Sequence, residues 1–198
     1  MKNTSRFRTF VQSFTGLVSD YKTDEERIFT EGQQLLSDLI KRDDWLPDQF
    51  AKPHPDRYQQ YLLHCDPLER FSVASFIWGP GHTTPVHDHT VWGMVGVMRG
   101  EELCDEFDVE SDTGKLVCTC SHNAAVGEID LVSPTVGDVH KVSNALDDEV
   151  SVSIHVYGAN IGAVRRHVFD PATGKPSEFV SGYASDVMPN LWDQSASQ

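Results

Sequence analysis

Between residues 4 and 19, the apolar side chains Phe7, Phe10, Val11, Phe14, Leu17 and Val18 recur every three or four positions, the spacing of a helix with one buried face. A second helix is predicted over 23–42. Thr23 and Glu26 fit a capping box at its start, and Ile28, Leu35, Leu36, Leu39 and Ile40 line one side. Pro47, Pro53 and Pro55 bar a single long helix from 43 to 55, which reads as a short helical turn and a linker. From about Tyr58 the period shortens. Short β-rich runs follow at 71–78, 85–89, 92–98, 102–109, 115–121, 125–131, 139–143, 150–157 and 163–169. Turn signals such as Gly79-Pro80-Gly81, Arg99-Gly100 and Asp112-Thr113-Gly114 separate them. Many short strands at close spacing predict a sandwich or a barrel. The chain therefore divides into a helical segment 1–57 packed on the barrel, a β unit 58–170 and an extension 171–198, mostly loop, within a single domain. Its last residues, 193–198, are predicted to be disordered.

Composition narrows the function classes. At 198 residues with 39% hydrophobic side chains the chain supports a real core. No run approaches the roughly 18 apolar residues of a spanning helix. The start, Met1 to Arg6, leads into an amphipathic pattern and not an apolar signal core, so a cytoplasmic protein is expected. A formal charge of −14 argues against nucleic acid and anionic membrane as partners, although a local cation still allows a small anionic substrate. Cys65, Cys104, Cys118 and Cys120 make no C-x-x-C pair. Cys118 and Cys120 share a strand face, where reduced, buried thiols are expected.

The candidate chemistry lies in two blocks. The first runs Gly81, five residues, His87-Asp88-His89, three residues, Gly93, six residues, Gly100. On a strand, His87 and His89 point the same way and Asp88 the opposite way, so two imidazoles can grip one ion. The second runs Pro134, Gly137, two residues, His140, three residues, Asn144, and offers a third imidazole. Together they resemble the two-motif signature of the cupin superfamily, small antiparallel barrels or jelly rolls with the metal inside. The resemblance implies a mainly β fold with an N-terminal α-helical layer. The usual first motif carries a glutamate where this chain has Gly93, which turns a three-His, one-Glu site into a three-His site. Three neutral imidazoles keep the ion's full charge and leave about three positions open on an octahedral ion. Imidazole suits iron, nickel, copper and zinc alike, so the ligands alone leave the metal open. His54, His64, His82, His122 and His167 have no such pattern and read as surface or ordinary polar residues.

Residues 150–157 alternate completely. Val150, Val152, Ile154 and Val156 take one face, and Ser151, Ser153, His155 and Tyr157 the other. Such a polar face inside a barrel would form a hydrogen-bonded chain. With the histidine blocks, this strand resembles the thiol dioxygenases of the cysteine dioxygenase type I family, over about Tyr58 to Phe169. In that family a three-His ferrous site takes a thiolate and O2 to a sulfinic acid. The resemblance implies Fe(2+) as cofactor, with His87, His89 and His140 as its ligands and Ser153, His155 and Tyr157 as the surrounding catalytic triad. Animal members carry a cysteine–tyrosine crosslink whose cysteine falls near Gly93 here, so Tyr157 is expected to be unmodified. They also hold the substrate carboxylate with an arginine where this chain has Gln60. Glutamine there, the stretch 87–93 and the Tyr-Gly-x-Asn-Ile-Gly-x-Val-Arg-Arg stretch 157–166 are similar to the bacterial 3-mercaptopropionate dioxygenases, in which an arginine of the last strand reaches the substrate. Arg166 is the candidate for that role and Arg165 the second.

The expected function is a non-haem Fe(II) thiol dioxygenase acting on a small carboxylated thiol and O2, with 3-mercaptopropionate favoured and L-cysteine the alternative. A metal-dependent cupin isomerase or hydrolase, or a non-catalytic ligand-binding cupin, is the alternative of another class. The sequence leaves the oligomeric state open.

Overall fold

A computed structural model of the chain describes residues 4–110 and 112–185. The disorder expected for 193–198 lies outside the described residues. Two helices open the chain, α1 (Ser5–Tyr21) and α2 (Glu25–Ile40). Phe10, Phe14, Leu17 and Val18 form the buried face of α1, as its spacing predicts. The capping box does not form. The N-cap of α2 is Asp24, whose carboxylate accepts from the Arg27 backbone N–H at 3.3 Å. A carboxylate next to the positive helix terminus is favoured over the threonine one position earlier. Between 43 and 55 there is one short helical turn, Asp48–Phe50.

Among the described residues, eleven strands follow: β1 (Gln59–Cys65), β2 (Ser72–Trp78), β3 (Val86–His87), β4 (Gly93–Arg99), β5 (Glu101–Val109), β6 (Leu116–Ala125), β7 (Ile129–Val132), β8 (His140–Asn144), β9 (Ser151–Tyr157), β10 (Arg166–Phe169) and β11 (Pro176–Phe179). They make two antiparallel sheets, one of five strands ordered β1-β2-β9-β4-β7 and one of six ordered β11-β10-β3-β8-β5-β6. This is the expected mainly β architecture of antiparallel sheets under an N-terminal α-helical layer. The helices cover the outer face of the five-stranded sheet. Phe14, Ile28, Leu36 and Leu39 pack there with Val73, Ile77, Met94, Val152, Ile154 and Val156 in one buried cluster. The inner face carries a second cluster that includes Ala74, Phe76, Trp78, Cys104, Val142 and Tyr157. Strand β9 is buried on both faces, with its alternating apolar residues under the helices and its polar ones inside the barrel.

Several expectations are corrected. The run 125–131 is split, because Ala125 ends β6, Gly127 turns the chain with φ of 94°, and β7 begins at Ile129. The run 163–169 starts as a helical turn at Ile161–Ala163 before β10. The extension read as loop contains β11, which pairs with β10 along its full length. Its first residue is Pro176, and a strand at a sheet edge does not need that missing N–H. Cys118 and Cys120 are exposed, not buried, because β6 is the edge of the six-stranded sheet; the buried thiols are Cys65 and Cys104. Among the described residues, no helix is long and apolar enough to cross a membrane.

Candidate functional site

The barrel interior brings His87, His89 and His140 together. One ring nitrogen of each lies within 4.8 Å of the other two, and all three residues are buried. Register explains part of this, because β3 is so short that His87 pairs directly with His140 and His89 follows two residues on. Asp88 between them points the other way and accepts from the backbone N–H and ring of His167 at 2.7 and 2.8 Å. Each ligand candidate has its Nδ1 engaged. His87 Nδ1 lies 3.1 Å from the Pro85 carbonyl, His89 Nδ1 3.0 Å from Asp138 Oδ1, and His140 Nδ1 3.6 Å from Cys104 Sγ. That leaves the three Nε2 atoms to face one another, the arrangement that a metal-ligating imidazole takes when its other nitrogen is held from behind. Burial depresses all three imidazoles, His87 to about 4, and the cation Arg166 adds to the effect. They are neutral, as ligands must be. This donor set fits a divalent transition metal.

Gly93 closes the ring beside them. A Cβ there would stand 2.7 Å from Tyr157 Cδ1 and 2.9 Å from Val132 Cγ2. The phenol ring fills the space beside Gly93, so a side chain there could enter only if the ring shifted.

On the inner face of β9, Ser153, His155 and Tyr157 form one chain. Ser153 Oγ lies 2.8 Å from His155 Nε2, and His155 Nδ1 2.8 Å from the Tyr157 hydroxyl. The Trp78 indole donates to Ser153 Oγ at 3.2 Å, and Phe76 stacks on His155 with centroids 3.9 Å apart. Burial pushes His155 down to about 3 and pushes Tyr157 up, so the imidazole stays neutral and the phenol keeps its proton.

Gln60, on edge strand β1, and Arg166, on β10, line the same pocket, together with Tyr58, His87 and Tyr157. Arg166 is 4% exposed. It donates from Nη2 to Ser181 Oγ at 2.7 Å and lies over the Phe179 ring at 4.7 Å. Its Nε has no hydrogen-bond partner, and neither does Gln60 Nε2. Among the described residues, no carboxylate pairs with this guanidinium. Two buried, unpaired donors on residues that line one cavity are what an anionic ligand could satisfy. Arg165 points outward to Glu178 at 2.8 Å.

The other histidines are mostly ordinary, as expected. His122 pairs with Asp130 at 3.0 Å and His54 lies near Asp56. His82 is buried, with Nδ1 accepting from the Gly79 N–H at 2.8 Å to pin a turn, so it is no surface residue. The sequence reading gave no role to Asp138, which also accepts from the backbone N–H of His89 and of Thr90. Its position two residues before His140 was the available signal. Tyr58 and Trp78 were likewise missed; inward alternation along the first two strands could have found them.

Comparison with known proteins gives a consistent picture. The model of the cysteine dioxygenase type I family matches residues 5–170. The chain is 25% identical over 140 residues to cysteine dioxygenase type 1 of Rattus norvegicus, spanning 69% of this chain and 67% of that one. It is 22% identical over 162 residues to the Homo sapiens protein of the same name, spanning 81% and 79%. Among solved structures, it is similar to a protein with a double-stranded β-helix domain from Klebsiella pneumoniae, at 18% identity and a TM-score of 0.46, over 58% of this chain and 89% of that one.

Proposed function

The chain belongs to the cysteine dioxygenase type I family, and on that footing we propose that it is an iron(II) dioxygenase of a small carboxylated thiol, 3-mercaptopropionate before L-cysteine. The overall change is R–SH + O2 → R–SO2H, with both oxygen atoms ending on sulfur. The observation that carries this reading is a buried cluster of three neutral imidazoles, two of which, His87 and His140, line one pocket with the Arg166 guanidinium. His87, His89 and His140 would hold the metal. When bound, iron(II) supplies the Lewis acidity that makes a thiolate from a thiol and the redox partner that O2 requires.

The chain's own side chains do the rest. Arg166 clamps the carboxylate and fixes the distance from that anchor to sulfur. Gln60 adds an amide donor without a second charge. Tyr157 directs its hydroxyl hydrogen at the reacting oxygen, while the His155 Nδ1–H holds the phenol oxygen from behind at 2.8 Å. Phe76 and Trp78 exclude water from this chain of hydrogen bonds.

The names of the relatives favour L-cysteine as a second reading. The absence of an arginine at position 60 favours the amine-free acid. Steady-state oxygen uptake on 3-mercaptopropionate, L-cysteine and 2-aminoethanethiol decides between them, with metal analysis of the same sample. We expect iron, and a kcat/KM at least about tenfold higher on 3-mercaptopropionate than on cysteine, a difference of roughly 1.4 kcal/mol. A preference for cysteine would put the cysteine reading in its place, and thiol-independent behaviour with zinc would remove the dioxygenase reading.

The packing at Gly93 gives a separate expectation. Gly93→Ala drives a methyl into the Tyr157 ring and moves its hydroxyl; of the three imidazoles only His89, stacked on that ring with centroids 5.3 Å apart, lies against the shifted phenol, and its Asp138 contact holds it in place. Metal content should stay at the wild-type level and kcat should fall on the order of 100-fold, the usual cost of a misplacement of about 1 Å. Metal analysis beside oxygen uptake checks both halves. Full turnover in this variant would mean that the phenol position is not critical.

A further inference from the structure

A second group of metal-type donors stands apart from the three imidazoles, on β5 and β6. Cys104 and Glu106 are two residues apart on β5 and share a face. His122 of β6 pairs directly with Cys104, which puts its imidazole on that face too. One donor atom of each, the Cys104 sulfur, a Glu106 oxygen and a His122 ring nitrogen, lies within 4.8 Å of the other two. Cys104 is buried, His122 half-buried and Glu106 exposed, so the group runs from the interior to the surface. His122 Nε2 lies 3.0 Å from Asp130 Oδ2, on β7. Cys104, Glu106 and Asp130 also line one cavity, of about 240 Å³.

We propose that Cys104, Glu106 and His122, joined by Asp130, form a second metal site that takes a zinc-class ion. The inference does not rest on the dioxygenase reading.

The donor set selects the class of ion. One sulfur, one imidazole nitrogen and two carboxylate oxygens are a zinc-type set, and four of them close a tetrahedron. Magnesium and calcium take oxygen and have no use for a thiol. With bonds of about 2.0–2.3 Å, the donors of a tetrahedral zinc site stand roughly 3.3–3.7 Å apart. Closing from 4.8 Å therefore takes a movement on the order of 1 Å, which the exposed Glu106 side chain supplies by changing rotamer. Binding displaces the Cys104 thiol proton to solvent, since the thiolate is the ligand.

The position in the fold gives the ion a task. β6 is the edge of the six-stranded sheet and β7 the edge of the five-stranded one. Asp130 and His122 face each other across that gap, so an ion bound to both ties the two sheet edges together. A chain of net charge −14 favours a cation there. The exposed Cys120 is the competing donor, with Sγ 4.0 Å from His122 Nδ1, at the other end of the ring from Asp130. An ion in the proposed site uses Nε2 and leaves Cys120 out.

The test titrates reduced, iron-loaded protein with cobalt(II) in the absence of air. Cobalt bound to a thiolate gives a near-ultraviolet charge-transfer band. Cobalt exchanged into the three imidazoles gives none, because that site has no sulfur, so the band reports the second site whether or not iron stays in the first. Wild type should develop the band to an end point of one cobalt per chain, and added zinc should bleach it. Cys104→Ser should abolish it, and His122→Ala should weaken binding on the order of 100-fold, as loss of one of few ligands does. The double variant Cys118→Ser, Cys120→Ser should keep the band and the affinity. Binding is read optically and not by turnover, because Cys104 Sγ also lies 3.6 Å from His140 Nδ1. No band in wild type overturns the proposal. So does a band that survives Cys104→Ser or is lost in the double variant, either of which assigns the ion to surface thiols. If Cys104→Ser does not fold, His122→Ala and the double variant decide alone, and unchanged affinity in His122→Ala overturns the site. Failure of the dioxygenase reading shows only as no thiol-dependent oxygen uptake and leaves the cobalt result standing.

Discussion

Alanine at His87, His89 or His140 should abolish metal binding and turnover together. The three side chains converge from two segments, the end of β3 and the start of β8, and each has a backing group on Nδ1. Among the described residues, no carboxylate joins this group of three imidazoles. Losing one imidazole therefore leaves two neutral ligands, which hold a divalent ion poorly. Metal content should fall below about a tenth of the wild-type value, since binding free energy is the sum of few contacts. Turnover should fall to background. Metal analysis, oxygen uptake and a melting curve on each variant make the check. The melting curve matters because His89 is 1% exposed and its truncation opens a void. A variant that melts normally, keeps full metal and turns over is not missing a ligand.

Arg166→Ala should separate acids from amines. The guanidinium is buried, tethered through Ser181 and Phe179, unpaired at Nε, and part of the pocket lining. A charge-assisted contact in such a place is worth about 2–3 kcal/mol, which corresponds to roughly 30- to 150-fold in KM for 3-mercaptopropionate. 2-Aminoethanethiol has no carboxylate and should change by less than about threefold, within the scatter of a lost neutral contact. Arg166→Lys should recover only part of the loss, because a point charge cannot reproduce the fork. Equal losses on the acid and the amine would show that Arg166 supports the fold and not the substrate.

Much of this was legible in the chain. The complete alternation from Val150 to Tyr157 means both faces of β9 are committed, and the structure buries both. Histidines spaced i, i+2 share a direction whether or not the strand continues, so the pairing of His87 with His89 survives β3 being only two residues long. Arg165 and Arg166 show the limit of spacing alone. Adjacent residues on a strand must face opposite ways, but only the partners, Glu178 for one and Ser181 for the other, say which faces in. The exposed thiols of β6 and the strand at Pro176–Phe179 were illegible for a related reason. Edge position and pairing are properties of the sheet, and no local period encodes them.

The division of labour between sheet centre and sheet edge has a consequence for engineering. Tyr157, His155 and Ser153 stand on the middle strand of the five-stranded sheet, whose opposite face is locked under the helices by Val152, Ile154 and Val156. Gln60 stands on the outermost strand of that sheet, while Arg166 and Phe179 stand on the last two strands of the other, and all three line one pocket. Backbone shifts at the middle strand are transmitted to the core on its other face, so a library built there should lose fold and activity together. A library at Gln60, Arg166 and Phe179 should keep the fold more often and is the place to look for altered thiol preference.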